Sequence, residues 1–312
     1  MSEKPPTVTT VAVDLVDRLV PSRYRSFAML ARLDRPTGAL LLLWPCWWGL
    51  AMAADGLPNI LFMAWLAIGA IVMRGAGCVY NDFIDRDIDA QVARTRDRPL
   101  ASGAVTSRQA LQFIAVLLAG GLIVLLPLNR AAIVIAMASI PLVALYPFMK
   151  RMTNWPQAWL GLTFNWGVLV GWAAETAHLA PPAFALFAAG ALWTLGYDTI
   201  YAHQDKEDDA IVGVKSTALT FGKATRWWLL AFYGGSLFAL AGAGYLAGLS
   251  LAYYAVLLIA AGHFLWQVTT VKIDDAASCL AKFNANKWLG AIIFVAIVLG
   301  QLIPLPLSTI LP

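Results

Sequence analysis

The chain has 312 residues, of which 60% are hydrophobic and 13% are charged, and its mean hydropathy is +0.70. Soluble domains have about 45–50% apolar and about 25% charged residues, so this composition excludes an ordinary soluble enzyme, a disordered protein and a coiled coil. The apolar runs are continuous rather than alternating, which excludes a membrane β-barrel and predicts an all-α integral membrane protein. We expect the protein to lie in a lipid bilayer and to bind no nucleic acid.

Residues 1–31 are the least hydrophobic stretch of the chain. Apolar residues between Val11 and Val20 alternate with Asp14, Asp17 and Arg18, a spacing typical of a short amphipathic helix on a membrane surface. The stretch has neither the apolar core of a signal peptide nor the composition of a transit peptide. We therefore expect a bacterial inner membrane as the location.

Residues 32–312 are predicted to form one transmembrane domain, because nine apolar runs follow one another with short connections. The runs cover residues 36–54, 58–80, 109–128, 131–149, 156–174, 181–201, 227–249, 251–271 and 288–310. Alternating the loops between the two sides of the membrane places 20 of the 22 Lys and Arg residues on one side. The excess of positive charge predicts that this side is cytoplasmic. The N-terminus and the long loops 81–108 and 202–226 then face the cytoplasm, and the C-terminus is periplasmic.

The first long loop begins with an acidic segment, residues 81–89. Asn81, Asp85 and Asp89 are four residues apart, so a continuing helix would place them on one face. Carboxylate and amide oxygens suit Mg²⁺, which proteins usually hold with one or two carboxylates, waters and substrate phosphates. The alternative for this segment alone is a solvated, charged loop.

A second acidic segment, residues 198–209, follows the sixth apolar run. Asp198, Asp205 and Asp209 are predicted to share one helix face, with Tyr201 between them. Both segments lie at cytoplasmic helix ends, which favours a metal site over two unrelated solvated loops. Two such faces would hold two or more Mg²⁺ ions around a diphosphate.

Basic residues accompany both segments. Arg94, Arg96 and Arg98 follow the first one and can bind phosphate oxygens, or else contact lipid head groups and set the topology. Lys150 ends the fourth run and Lys215 lies in the second long loop. Taken alone, each of these lysines is better explained as a topology charge than as a ligand.

Four further residues are candidates for the functional site because they lie in or next to apolar runs. Charges at membrane depth are expensive and usually mark function, which singles out Arg74 and Asp198. Tyr146 precedes Lys150 by one helical turn. Asn165 either orients a substrate or joins two helices through a hydrogen bond.

The motifs resemble those of the UbiA superfamily of intramembrane prenyltransferases. The first signature corresponds to Asn81-Asp82-x-x-Asp85-x-x-x-Asp89, followed by Arg94-Thr95-Arg96-x-Arg98-Pro99-Leu100. The second corresponds to Asp198-x-x-Tyr201-Ala202-x-x-Asp205-x-x-Asp208-Asp209, followed by Gly213-x-Lys215-Ser216-Thr217. The stretch Arg32-Leu33-Asp34-Arg35-Pro36 resembles the beginning of helix 1 in the 4-hydroxybenzoate polyprenyltransferase branch.

The resemblance implies nine transmembrane helices around a central cavity with an active site open to the cytoplasm. It implies Mg²⁺-dependent transfer of a polyprenyl chain from polyprenyl diphosphate to the carbon ortho to the hydroxyl of 4-hydroxybenzoate, a step of ubiquinone biosynthesis. The implied metal ligands, direct or through water, are Asn81, Asp82, Asp85, Asp89, Asp205 and Asp209. The implied diphosphate ligands are Arg74, Arg94, Arg98, Lys150 and Lys215.

The remaining implied roles concern the acceptor. Arg35 or Arg74 would bind the benzoate carboxylate, and Asp198 with Tyr201 would orient the aromatic ring or its hydroxyl. Tyr146 and Asn165 complete the expected substrate-binding set. The expected catalytic set is Asp85, Asp205, Asp198, Tyr201 and Arg74.

Four alternatives stand beside this interpretation. Haem O synthase shares the first motif but is not expected to carry the second, whereas menaquinone-type acceptors remain compatible with both. CDP-alcohol phosphotransferases also use membrane carboxylates and Mg²⁺, but their ligands crowd along one stretch. A cation transporter with acidic gates would need polar residues through both leaflets, and here the outer half is nearly free of them.

Overall fold

The computed structural model describes residues 16–92 and 95–303. Within these ranges the chain forms helices and turns and no strand, which confirms the all-α prediction. The α-helices from Ser22 onward are α1 (Ser22–Leu30), α2 (Thr37–Ala53), α3 (Ile60–Asp89), α4 (Ser107–Leu125), α5 (Arg130–Ala138), α6 (Ile140–Met152), α7 (Pro156–Thr176), α8 (Pro181–Ala202), α9 (Lys206–Val212), α10 (Thr217–Phe221), α11 (Thr225–Leu246), α12 (Leu251–Thr270) and α13 (Ala276–Leu302). Residues 11–15 of the predicted amphipathic helix lie outside the described residues.

Each of the nine predicted apolar runs overlaps at least one of these helices. Seven helical segments are long and apolar enough to cross a membrane, namely Ile60–Asp89, Ser107–Leu125, Arg130–Met152, Pro181–Ala202, Thr217–Leu246, Leu251–Thr270 and Ala276–Leu302. The other two runs form α2, which has 17 residues, and α7, which buries the polar residues Gln157 and Asn165. The chain is a multi-pass membrane protein.

Two predicted boundaries differ from the observed helices. The run 131–149 is divided at Ser139 into α5 and α6, because Pro141 has no N–H with which to continue the hydrogen-bond pattern. The predicted loop 272–287 is wrong, since α13 already begins at Ala276. The Asp275 side chain caps this helix by accepting hydrogen bonds from the backbone N–H groups of residues 277 and 278, at 2.9 and 3.2 Å.

The described chain divides into two compact units. The first comprises residues 1–40 and 67–126 and has a core formed by Leu30, Val79, Leu100, Val105 and Ala110. Its helix α4 begins with a capping box in which Thr106 and Gln109 satisfy each other's backbone N–H groups. This core packs against the half of α3 that leads into the first acidic segment.

The second unit comprises residues 41–66 and 127–312, and its helices approach one another closely at glycines. A Cβ atom on Gly171 of α7 would lie 2.1 Å from the Cys46 carbonyl oxygen of α2. The Trp48 indole donates a 2.9 Å hydrogen bond to the Gly290 carbonyl and packs on Trp193 with ring centroids 4.9 Å apart. Small residues allow this close backbone approach, which is how helices associate in membranes.

Candidate active site

The first acidic segment belongs to α3, which continues without interruption to Asp89. This confirms the expectation that Asn81, Asp85 and Asp89 follow one another at four-residue spacing on a helix. Asp85 is fully buried and Asp89 is 6% exposed, whereas Asn81 is partly exposed. Buried carboxylates are retained in proteins only when a cation or several hydrogen-bond donors compensate their charge.

Asp82, on the same segment, is held by two arginines. The Arg32 Nη2 atom lies 2.8 Å from both carboxylate oxygens of Asp82, and Arg98 Nη1 lies 3.1 Å from Oδ1. Burial lowers the pKa of Arg32, but the charge and hydrogen bond of Asp82, together with the charges of Cys78 and Asp34, leave that pKa raised. Arg32 has a φ of +60°, in the left-handed region that non-glycine residues rarely adopt. The position of the Arg32 guanidinium therefore depends on the backbone conformation of the turn between α1 and α2.

Arg98 also bridges to the end of the segment. Its Nη1 atom lies 2.7 Å from Asp89 Oδ2, so one nitrogen contacts two carboxylates. The chain is brought back toward Asp89 by Thr95, whose hydroxyl donates a 2.8 Å hydrogen bond to the Asp89 carbonyl. The structure thus brings Arg98 to the acidic segment, as predicted. Arg94 lies outside the described residues.

Arg74 and Arg35 occupy different environments in the first unit. Arg74 is half-buried on α3, and its guanidinium packs against the backbone of Gly38, where a Cβ would lie 2.8 Å from Nε. Arg35 is exposed and donates a 3.2 Å hydrogen bond to Asp34, which is buried. Of the two candidates for the benzoate carboxylate, Arg74 is the more enclosed.

The second acidic segment differs from its predicted form. Asp198 and Tyr201 lie in the last turns of α8, but the helix ends at Ala202 and α9 begins at Lys206. Asp198 and Asp209 are therefore not on one continuous helix, and the single-face prediction is wrong. The interruption includes His203, which turns into the protein, and Asp205, whose carbonyl starts α9 by accepting the 2.8 Å hydrogen bond from the Asp209 N–H.

Local contacts hold this segment at its two ends. The His203 ring contacts the Thr225 hydroxyl at 3.0 Å, and its burial, together with the charge of Lys206, lowers the pKa of His203 to about 4. His203 is thus neutral at pH 7 and adds no charge beside Asp205. Lys206 forms an ion pair with Asp274 in the turn between α12 and α13. The Tyr201 ring packs against Phe283 of α13 with centroids 4.4 Å apart.

The Lys206–Asp274 pair leads to a testable expectation. Asp274→Asn is expected to increase limited proteolysis of residues 203–216 at pH 7, by no more than about fivefold, because exposed ion pairs contribute little. The hydrogen bond and charge of Lys206 lower the pKa of Asp274. The pair therefore stabilises the fold above that pKa, and the difference between the proteins should disappear on acidification below it. Glu207→Gln, an exposed charge outside the pair, is the control and should cleave like the parent chain.

Lys150 and Lys215 are brought together by the backbone. The Lys215 N–H donates a 2.8 Å hydrogen bond to the Lys150 carbonyl, and Lys215 Nζ lies 3.5 Å from the Met152 carbonyl. Tyr146 lies one turn before Lys150 on α6. Two lysines predicted separately from distant parts of the sequence are therefore neighbours along the backbone of the second unit.

Asn165 is fully buried between α7 and α8. Its side-chain amide donates hydrogen bonds to the Gly161 carbonyl at 2.9 Å and to the Thr194 hydroxyl at 2.7 Å. A Cβ on Gly190 would lie 2.1 Å from the Asn165 Oδ1 atom. Of the two roles open for Asn165, these contacts support the joining of helices.

A buried polar network in the second unit was not predicted. Asn286 accepts hydrogen bonds from the Trp193 indole at 2.8 Å and from the Gln267 amide at 3.1 Å, and Gln267 accepts one from the Tyr233 hydroxyl at 3.1 Å. Asn286 and Gln267 are fully buried. Polar residues at membrane depth are the sequence signal that would have identified them.

Within residues 16–92 and 95–303, no three His, Cys, Asp or Glu side chains converge as a set that could hold a metal ion. The oxygen donors of the first segment are instead arranged along one helix with arginines between them. Residues 42–298 match the UbiA prenyltransferase family.

The chain belongs to this family. The 4-hydroxybenzoate polyprenyltransferase, mitochondrial, of Arabidopsis thaliana is 49% identical over 302 residues, which cover 96% of this chain and 74% of that protein. Among solved structures, a UbiA homologue from Aeropyrum pernix K1 has a TM-score of 0.71 at 24% identity, covering 84% of this chain and 98% of that one. A UbiA homologue from Archaeoglobus fulgidus, bound to GPP and Mg²⁺, has a TM-score of 0.62 at 17% identity, covering 88% and 99%. These two structures establish the UbiA fold.

Proposed function

We propose that this UbiA-family chain is a Mg²⁺-dependent 4-hydroxybenzoate polyprenyltransferase. The observation that carries the proposal is the 49% identity, across nearly the whole chain, to a protein with that activity in its name. The substrates are a polyprenyl diphosphate and 4-hydroxybenzoate. The buried acidic segment and the basic groups in both units supply the charges that a diphosphate substrate and its metal ions require.

The residues of the first segment fit a magnesium site. Asp85 and Asp89 are buried oxygen donors one helical turn apart, and the contact of one Arg98 nitrogen with both Asp82 and Asp89 supports a place for positive charge beside them. We propose that both acidic segments supply ligands, directly or through water. The proposed ligands are Asn81, Asp82, Asp85, Asp89, Asp205 and Asp209. The Mg²⁺ named with the Archaeoglobus fulgidus homologue is consistent with this choice of metal.

The basic residues divide between the two substrates. The candidates for the diphosphate are Arg74, Arg94, Arg98, Lys150 and Lys215. Arg35 or Arg74 would instead hold the carboxylate of 4-hydroxybenzoate. Partial burial favours Arg74 over exposed Arg35 for that role, which leaves the diphosphate to Arg94, Arg98 and the two lysines. Asp198 and Tyr201 orient the aromatic ring or its hydroxyl, and Tyr146 completes the substrate contacts. Asn165 acts indirectly, by joining α7 to α8 through its hydrogen bond to Thr194.

In the proposed reaction, the bond between the allylic carbon of the donor and the diphosphate oxygen breaks, and diphosphate leaves. The ring carbon ortho to the acceptor hydroxyl forms the new bond and then loses its proton to a base. Bound Mg²⁺ would supply positive charge to the departing diphosphate. Arg98 and the two lysines bind its oxygens, and the surrounding apolar helices exclude water from the allylic cation.

We propose nine membrane spans within residues 32–312, with the seven apolar segments joined by α2 and α7. The charge asymmetry supports a cytoplasmic active site and N-terminus and a periplasmic C-terminus. The proposed location is a bacterial inner membrane. The Arabidopsis thaliana relative is named as mitochondrial, and a quinone-synthesis enzyme in either membrane would face the same bilayer chemistry.

The test is an assay of the purified protein in detergent with geranyl diphosphate, 4-hydroxybenzoate and Mg²⁺, with the product identified by mass spectrometry. We expect prenylated 4-hydroxybenzoate, and we expect EDTA to abolish its formation and added Mg²⁺ to restore it. Homogentisate, dihydroxynaphthoate and haem B are tested as alternative acceptors, and prenyl diphosphates longer than geranyl diphosphate are tested as alternative donors. If product forms with one of these acceptors and not with 4-hydroxybenzoate, that compound is the acceptor instead. If no product forms and the protein carries Mg²⁺ or H⁺ across proteoliposome membranes, the transporter alternative is favoured.

A further inference from the structure

We propose that the Arg98 guanidinium is the resident counter-ion of the first acidic segment, and that a divalent cation displaces it from Asp89. The proposal rests on the magnesium site proposed above. Its observation is that Arg98 Nη1 lies 2.7 Å from Asp89 Oδ2 and 3.1 Å from Asp82 Oδ1. A positive group thus already lies where two carboxylates of the segment come together.

The two carboxylates differ in how they depend on Arg98. Asp82 also has Arg32, whose Nη2 lies 2.8 Å from both of its oxygens, so it keeps a cation when Arg98 moves away. In the described part of the chain, the ion pair of Asp89 is with Arg98. Asp89 is therefore the carboxylate that Arg98 must release before a metal ion can bind its oxygen.

Burial makes this release conditional on a replacement cation. Removing one partner of a buried ion pair leaves a charge that is strongly destabilising. Asp89 is 6% exposed and Asp85, one turn away, is fully buried. Arg98 cannot lose its proton to relieve the pair, so the exchange requires its side chain to move as the incoming cation binds.

Arg98 is placed so that such movement is possible. Its side chain is 24% exposed, and it lies in the turn after Thr95 rather than within a helix. A guanidinium offers planar paired donors that match phosphate oxygens. The displaced Arg98 therefore gains a new partner when diphosphate is present, which couples metal binding to substrate binding. With metal alone, Arg98 competes for Asp89 and weakens binding.

The test measures binding of Mn²⁺ alone, by the electron paramagnetic resonance signal of the free ion, without diphosphate or acceptor. Arg98→Gln is expected to bind Mn²⁺ about tenfold more tightly than the parent chain, because a charge-assisted competitor is removed. Arg96→Gln is the matched control. It removes the same charge two residues away, on a side chain that is 66% exposed and near Asp97, so it should change affinity by less than about threefold.

Equal or weaker Mn²⁺ binding by Arg98→Gln, in protein that retains its helical circular dichroism, would overturn the proposal. If Arg98→Gln does not fold, Arg98→Lys keeps the charge but loses the fork of donors, and it should still bind Mn²⁺ more tightly than the parent. If neither variant binds Mn²⁺ more tightly than the parent chain, the proposed exchange is contradicted. Tighter Mn²⁺ binding by Arg98→Gln, when the parent chain makes no prenylated product, would support the exchange and overturn only the proposed function.

Discussion

Asp85→Asn and Asp205→Asn are each expected to lower the rate of prenyl transfer at least about 100-fold. Each variant removes a full negative charge from a proposed metal ligand while keeping nearly the same side-chain volume, and loss of a ligand costs more than loss of an outer contact. Asp85 is fully buried on α3 and Asp205 lies at the start of α9. The rate is measured by mass spectrometry of the product at saturating donor and acceptor, over a range of Mg²⁺ concentrations.

Neighbouring carboxylates provide the controls for this result. Asp87 is 84% exposed and pairs with Arg86, and Glu207 is exposed on α9. Asp87→Asn and Glu207→Gln remove the same charge from the same two segments, and we expect near-parent rates from both. If Asp85→Asn retained the rate of Asp87→Asn, the first segment would not be a metal site. The same comparison between positions 205 and 207 tests the second segment separately.

Gly171→Ala is expected to reduce the free energy of unfolding by about 1–3 kcal/mol, the usual cost of forcing extra atoms into a packed interior. The added Cβ would lie 2.1 Å from the Cys46 carbonyl oxygen and 2.9 Å from the Leu50 nitrogen. Both are backbone atoms of α2, so no side-chain rotation relieves the clash and the two helices must separate. The measurement is thermal unfolding in detergent, followed by circular dichroism.

Gly242→Ala is the matched control for this packing argument. Gly242 lies within α11, and a Cβ there meets no atom within 4 Å. Since alanine favours a helix more than glycine does, this variant should be as stable as the parent chain or slightly more stable. A parent-like midpoint for Gly171→Ala would show that α2 and α7 are not packed as closely as their backbones indicate.

Features encoded by nearby residues were predictable from the sequence. Nine continuous apolar runs predicted helices, and each run overlaps at least one helix of the described chain. The four-residue spacing of Asn81, Asp85 and Asp89 predicted their arrangement on one helix, which α3 confirms. The order of the two acidic motifs and the basic residues between them indicated the family, which the match over residues 42–298 establishes.

Helix ends that depend on contacts with distant parts of the chain were harder to predict from the sequence. The seven-residue spacing of Asp198 and Asp205 predicted a continuous helix, but α8 ends at Ala202. There, His203 turns inward to contact Thr225, which is 22 residues away along the chain. A periodicity argument cannot include such a contact, because it considers only neighbours within one helix.

The sequence by itself therefore determined the membrane class, the family and the residue types of the candidate site. Only the tertiary structure decided which charges neutralise one another: Arg32 with Asp82 across 50 residues, and Arg98 with both Asp82 and Asp89. It alone also placed Asn286 against Trp193, 93 residues away. The physical reason is that apolar periodicity follows from local backbone geometry, whereas the partner of a buried charge depends on how separate helices pack.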